Sequence, residues 1–218
     1  MTGAVLRNLT RFAFGAAGMA FIALIMRRVT ARQRPLPCPF WLSGLLNNPY
    51  MNSVAGAEAI LDRLGVEAGM KVLDVGCGPG RLTIPAARRV GVDGEVTALD
   101  IQPEMLRRVQ KKLDASHLTN VRLVRAGAGD GQVGQDMFDR ALLVTVLGEI
   151  PDRRAALDEI FQALKPGGIL SVTEVLPDPD FQTPGSIRRL ASDVGFEEQA
   201  HFGGFPAFTL HLRTPAAR

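Results

Sequence analysis

From about Asn52 onward, short apolar runs rich in β-branched residues alternate with stretches of helical periodicity. The runs are KVLDV (71–75), EVTALD (95–100), NVRLVRA (120–126), FDRALLVTVL (138–147) and GGILSVTEV (167–175). Each is nearly continuous in apolar residues, the pattern of a strand buried on both faces. Helical periodicity falls over 55–64, 81–90, 103–113, 152–164 and 184–194, with Gly65 and Gly195 at two of the stops. This alternation predicts an α/β fold with a doubly wound, mostly parallel sheet. A polar stretch, 127–136, interrupts it once. After Gly195, the runs 196–202 and 205–213 flank Gly203-Gly204 and predict an antiparallel hairpin that completes seven strands.

The first 51 residues read differently. Phe12 to Met26 (FAFGAAGMAFIALIM) holds no charge and no strong polar group. It is shorter than the roughly 18–20 residues of a comfortable membrane span. With Leu9, Thr10 and Val29 at its ends and arginines snorkelling, this N-terminal apolar helix either crosses a bilayer or lies partly in one. Arg7 and Arg11 would suit a signal peptide, but Arg27-Arg28-Val29-Thr30-Ala31-Arg32 offers no small-residue cleavage site. A helix packed on its own domain or on a partner is the other alternative. Four arginines after the run against two before it put the following domain on the cytoplasmic side. The expected organisation is a basic, apolar, membrane-associated segment (1–34), a Pro-rich aromatic connector or lid (35–51), and one α/β domain (52–218).

Charge sharpens this division. Arg7, Arg11, Arg27, Arg28, Arg32 and Arg34 precede the first acid, Glu58, so the opening segment is net +6. The remaining 19 of the 25 basic residues face 22 acidic ones, a net of −3. A mildly acidic body is a poor match for nucleic acid, and the basic excess beside an apolar run points to an anionic membrane surface. Cys38 and Cys77 make no disulfide framework, and with three scattered histidines they lack the spacing of a metal site.

The chemistry centres on VLDVGCGPGRLT, 72–83. A buried strand ends near Asp74, and Gly76, Gly78 and Gly80 form a turn that bare backbone can bring close to a ligand. A helix start follows, with free N–H groups. Some other nucleotide-type α/β fold would also carry a glycine turn. The spacing here is G-x-G-x-G with Arg81 next, not the G-x-G-x-x-G of dinucleotide binders, and no Lys-Ser/Thr follows. Asp100 ends the second strand, where a carboxylate can accept both hydroxyls of a ribose.

VLDVGCGPG, VTALDIQPEML, FDRALLVTVLGEIPD and LKPGGILSVTE closely resemble, in order and spacing, the motifs of class I S-adenosylmethionine-dependent methyltransferases. The resemblance spans roughly residues 55–213 and is nearest to the branch of ubiquinone/menaquinone and small-molecule or phospholipid methyltransferases. It implies S-adenosylmethionine as cofactor. Asp74, Cys77 and the backbone of Gly76, Gly78 and Gly80 would hold its methionine part; Asp100 would bind the ribose, with Ile101 and Gln102 flanking the adenine. Family members place an acid after the third strand to meet the adenine amine. This chain departs there, with Ala126-Gly127-Ala128-Gly129-Asp130-Gly131, and Asp130 serves only if the loop bulges. After the fourth strand, Val144 to Glu149 would line the face to which the methyl points.

Glu149 is the leading catalytic candidate, to orient an amine or deprotonate a nucleophile; capping helix 152–164 or pairing with Arg153 is its structural alternative. Glu174, ending the fifth strand, is a weaker one. Tyr50, with Met51 and Asn52 ahead of the first helix, is a candidate to touch cofactor or acceptor. A methyl acceptor that is small and lipophilic, or a lipid, follows from joining the basic apolar segment to this domain. Two other readings compete: a membrane-tethered binding protein without turnover, and an NAD-type oxidoreductase.

Overall fold

The computed structural model describes residues 49–216. The expected N-terminal apolar helix and nearly all of the connector lie outside those residues. Fourteen elements follow, and a seven-stranded sheet of order β3-β2-β1-β4-β5-β7-β6 organises them. The strands are β1 (Lys71–Val75), β2 (Glu95–Asp100), β3 (Val121–Arg125), β4 (Phe138–Val144), β5 (Leu164–Val175), β6 (Glu197–Gly203) and β7 (Ala207–Arg213). The first five pair in parallel, and β7 pairs antiparallel with β5 and β6. The mostly parallel sheet and its terminal hairpin are therefore as the periodicity predicts.

Alternation along buried strands sorts side chains to two helical layers. Val72, Val96 and Leu142 pack with α2 (Ala57–Leu64) and α3 (Thr83–Val90). Their neighbours Leu73 and Leu143 point the other way, with Leu170 and Val172, to α5 (Arg153–Ala163) and α6 (Pro184–Val194). Helix α4 (Pro103–Ser116) covers β2 through Leu106, Val109 and Leu113 around Ala98. The sheet edge strand β3 is half-buried rather than continuously buried.

Four local readings are corrected. The expected helix 55–64 is two helices, α1 (Pro49–Ala55) and α2, broken at Gly56; a Cβ there would sit 2.6 Å from the Asn52 carbonyl oxygen. Tyr50, Met51 and Asn52 are thus inside the first helix and not ahead of it. The glycine turn runs on through Arg81, so α3 starts at Thr83. In the hairpin, Phe205-Pro206 belong to the turn, since proline has no N–H for the ladder. The fourth concerns β5, which begins at Leu164: Phe138 pairs Leu164 while Arg140 pairs Ile169, so Lys165-Pro166-Gly167-Gly168 bulge out between them.

The chain winds outward from β1 to β3 and then returns to β4 beside β1. That reversal opens a crevice at the carboxyl ends of β1 and β4, where ligands bind in open α/β sheets.

Candidate active site

The crevice is a cavity of about 750 Å³, inside the range of small-molecule sites, roughly 300–1,000 Å³. One half is built by the turn after β1 and the end of β2. Gly76 holds φ +65°, and a Cβ on it would lie 2.6 Å from the methyl carbons of Val146, so the turn packs directly on the residues after β4. Gly78 holds φ +53° with nothing within 4 Å of a Cβ position; its backbone faces open space. Positive φ at both positions is the conformation glycine takes without penalty.

Asp100 is buried and fully oriented. Its Oδ2 accepts from the Gly78 N–H at 2.9 Å and its Oδ1 from the Gln102 N–H at 2.8 Å. Burial raises its pKa, and these two bonds act against that rise. Each carboxylate oxygen keeps acceptor capacity for a further donor. Asp74 is buried at the end of β1, its Oδ2 accepting from Thr83 Oγ1 at 2.6 Å. Desolvation lifts its pKa to about 6 despite that bond and the nearby Arg81 charge. Cys77 lines the same wall, and burial, with Asp74 and Asp100 beside it, pushes its thiol well above the usual range; it is no nucleophile.

The loop after β3 closes this half. Asp130 is exposed and borders the cavity. Its Oδ2 accepts from the Gly127 N–H at 2.7 Å while its own N–H donates to the Gly127 oxygen, which folds the loop back on itself. From below, Glu159 of α5 accepts from the N–H groups of Gly129, Gln132 and Val133 and anchors it.

The other half is mostly apolar, walled by Tyr50 and Met51 of α1, Val144 to Val146, Ile150 with Pro151, and Leu176, Pro177 and Pro179, with Asp178 the one acid among these. The Tyr50 hydroxyl donates to the Leu176 carbonyl at 2.7 Å and straps α1 across the β5–α6 loop. Glu149 ends a short 3-10 turn, Leu147–Glu149, and borders the cavity half-buried. Helix α5 is capped by Asp152, whose carboxylate accepts from the Ala155 N–H, so capping is not the role of Glu149. Arg153 donates to the carbonyls of Leu147 and Gly148, clasping the turn that carries Glu149. Glu174 lies under this wall: 1% exposed, with Oε2 accepting from the Gln182 N–H at 3.3 Å and Oε1 unpartnered. Desolvation first, and Asp178 next, hold its pKa well above the usual carboxylate range.

The expected site residues are therefore gathered with two exceptions, Gly80 and the weaker candidate Glu174. Asp74, Gly76, Cys77, Gly78, Asp100, Ile101, Gln102, Asp130, Val144, Glu149 and Tyr50 all line the cavity. Gly80 faces away, its Cβ position 3.2 Å from Val109 of α4; its place is in helix packing. One lining residue, Arg81, was not expected from the sequence, and the backbone strain at Thr145 was not either. Arg81, the one cation among the described lining residues, donates to the Ala55 carbonyl at 2.6 Å and ties the glycine turn to α1. Thr145 lines the cavity at φ +54°, a conformation strained for a β-branched residue. Arg81 had a signal in its place directly after the glycines; Thr145 lies within the 144–149 stretch expected on this wall, but its positive φ had no signal, because φ is not written in residue type.

Comparison with known proteins agrees with this geometry. A family model described as "Methyltransferase domain" matches residues 72–168. Residues 72–168 thus match a methyltransferase domain, the kind of protein whose motifs the chain resembles. Among curated relatives, a ubiquinone/menaquinone biosynthesis C-methyltransferase from Idiomarina loihiensis is 39% identical over 115 residues, 52% of this chain and 46% of that protein. A demethylmenaquinone methyltransferase from Staphylococcus aureus is 39% identical over 117 residues, 54% of this chain and 48% of its own length. The chain thus spans about half the length of the curated relatives it matches. A solved methyltransferase from Aquifex aeolicus aligns with TM-score 0.75 at 22% identity, covering 81% of this chain and 98% of that one, and shows the shared fold.

The methyltransferase domain's residues fit its cofactor. Six carboxylates line the cavity, Asp74, Asp100, Asp130, Glu149, Asp152 and Asp178, against the single guanidinium of Arg81. That field suits a ligand carrying both a sulfonium and an ammonium. Asp100, with its oriented carboxylate, would accept from the ribose hydroxyls, exposed Ile101 would offer an apolar face beside it, and the open backbone at Gly78 would leave room for the amino-acid end. When bound, S-adenosylmethionine supplies a methyl group already activated by the positive sulfur. The protein's own contribution is then alignment of the acceptor and exclusion of water.

Proposed function

We propose that this protein transfers a methyl group from S-adenosylmethionine to a small lipophilic acceptor, with a reduced quinone ring as the first candidate. The observation that carries the reading is the division of one cavity. A half rich in oriented carboxylates and bare backbone adjoins an apolar half closed by the Tyr50–Leu176 strap. Glu149, which lines the cavity, would accept a proton from an acceptor hydroxyl as the nucleophile forms. The names of the curated relatives support a quinone-type acceptor.

Calorimetry with S-adenosylhomocysteine and with NAD tests the cofactor; heat with the first and none with the second is expected, and the reverse identifies an oxidoreductase. Incubating lipid extracts with methyl-labelled cofactor and following label by mass spectrometry tests turnover and acceptor together. Labelled lipid of quinone mass is expected; cofactor binding without label in any extract would leave a binding protein.

The same proposal puts the domain on the cytoplasmic side of a membrane, held there by residues 1–34, with 35–51 as connector. Among the described residues no helix is long and apolar enough to cross a membrane. Deleting residues 1–34 should move the protein from the membrane to the soluble fraction; retention in the membrane fraction would refute the tether.

A further inference from the structure

Four large apolar side chains are exposed among the described residues: Tyr50 (41%), Val92 (93%), Ile101 (56%) and Phe205 (90%). Val92 lies in the turn between α3 and β2, at the amino end of the strands. The other three gather at the carboxyl end, around the cavity. Tyr50 and Ile101 line it. Phe205 stands at the tip of the β6–β7 hairpin, and the Pro206 carbonyl next to it accepts from the N–H of Leu176, a cavity-lining residue, at 2.9 Å. From Phe202 to Phe208 the hairpin tip carries no charge (FGGFPAF).

The chain enters the domain at this place. The first described helix begins at Pro49, and the Tyr50 hydroxyl is bonded to the Leu176 carbonyl on the cavity wall. The 48 residues before it, with six arginines, no acid and the apolar run 12–26, are therefore joined to the fold at the mouth of the cavity. We propose that the mouth faces a lipid bilayer and that the Phe205 hairpin tip inserts into it as a second contact, beside the N-terminal segment. The inference rests on the membrane reading above.

The two contacts differ in kind. The arginines of the N-terminal segment attract anionic headgroups and weaken with salt. The hairpin tip is uncharged, so its insertion follows apolar area and is indifferent to headgroup charge. Two contacts on one rigid domain also fix its orientation, which a single tether does not. With the mouth against the membrane, a lipophilic acceptor passes from the bilayer to the apolar half of the cavity without crossing water.

The test uses the full chain carrying Phe205→Trp with Trp41→Phe, so that the introduced indole is the sole tryptophan. Vesicles of phosphatidylcholine, with and without phosphatidylglycerol, are compared with vesicles of the same lipids brominated along the acyl chains. At saturating lipid we expect a blue-shifted emission, quenched by brominated lipid in both vesicle types and unchanged by added salt. Co-sedimentation with vesicles while the emission stays that of water-exposed indole would overturn the hairpin contact and leave the tether. Failure to co-sediment at all would overturn both. A blue shift without vesicles that grows with protein concentration would assign the tip to contact with a second copy, and would also overturn the proposal. In the full chain at high salt, where the arginine contact is screened, Phe205→Ser should lower partitioning into phosphatidylcholine vesicles by about tenfold, the loss expected for part of a phenyl ring's burial; an unchanged partition coefficient would overturn insertion.

Discussion

Asp74→Asn separates what the fold wants from what the cofactor wants. In the free protein Asp74 is buried, and desolvation lifts its pKa from 3.8 to about 6. An acid whose folded pKa is raised is bound more tightly to its proton in the folded state. Its ionisation therefore subtracts stability as pH rises from about 4 to about 6, and the loss is complete above that window. A rise of this size corresponds to about 3 kcal/mol at pH 7 and, integrating the folded and unfolded titrations, to about half that at pH 5. Asparagine removes the charge while its amide oxygen still accepts from Thr83 Oγ1. In the absence of cofactor the variant should melt higher than the parent at pH 7.5, by roughly 6–12 °C for a domain of this size. The difference should shrink by about half at pH 5. Titration with S-adenosylhomocysteine should show the opposite sign, with affinity falling by roughly 1.5–3 kcal/mol as a charge-assisted bond is lost. Equal melting at pH 7.5, or a stabilisation that does not shrink on acidification, would refute the buried-charge argument. Unchanged affinity would remove Asp74 from the cofactor site.

Three further outcomes are expected. Asp100→Ala should lower cofactor affinity by about 2–3 kcal/mol in calorimetry, because the ribose acceptors disappear and the N–H groups of Gly78 and Gln102 lose their partner; unchanged affinity would disprove its role. Thr145→Gly should raise thermal stability by about 1 kcal/mol through relief of the positive φ while slowing turnover, since a freer backbone loosens the cavity wall; destabilisation would mean the Oγ1 bond to the Val144 carbonyl outweighs the strain. Asp152→Ala should cost about 1 kcal/mol in denaturant unfolding from the lost N-cap, and a null effect would return helix capping to Glu149 as an open role.

The order of elements, the parallel sheet and its closing hairpin are determined by local pattern: continuous β-branched runs, helical periodicity between them, and glycine punctuation. So is the core of the cofactor site, because Asp74, the glycine turn and Asp100 lie at strand ends that any βα-repeating chain carries to one edge of its sheet. Tertiary structure decided the rest. Gly80 matches the motif in spacing, yet the packing of α4 turns it towards Val109 and away from the cavity. Asp130 reaches the cavity rim only because the loop folds back through Gly127 and is pinned by Glu159 of α5, on the far side of β4 in the chain. The strap from Tyr50 to Leu176 joins residues 126 apart. Contacts of this kind depend on which faces meet once the sheet has assembled, and no local pattern encodes them. The proposed tether rests on charge and apolarity alone; the side of the domain to which that segment is joined is decided by the tertiary structure, which sets Tyr50 on the cavity wall.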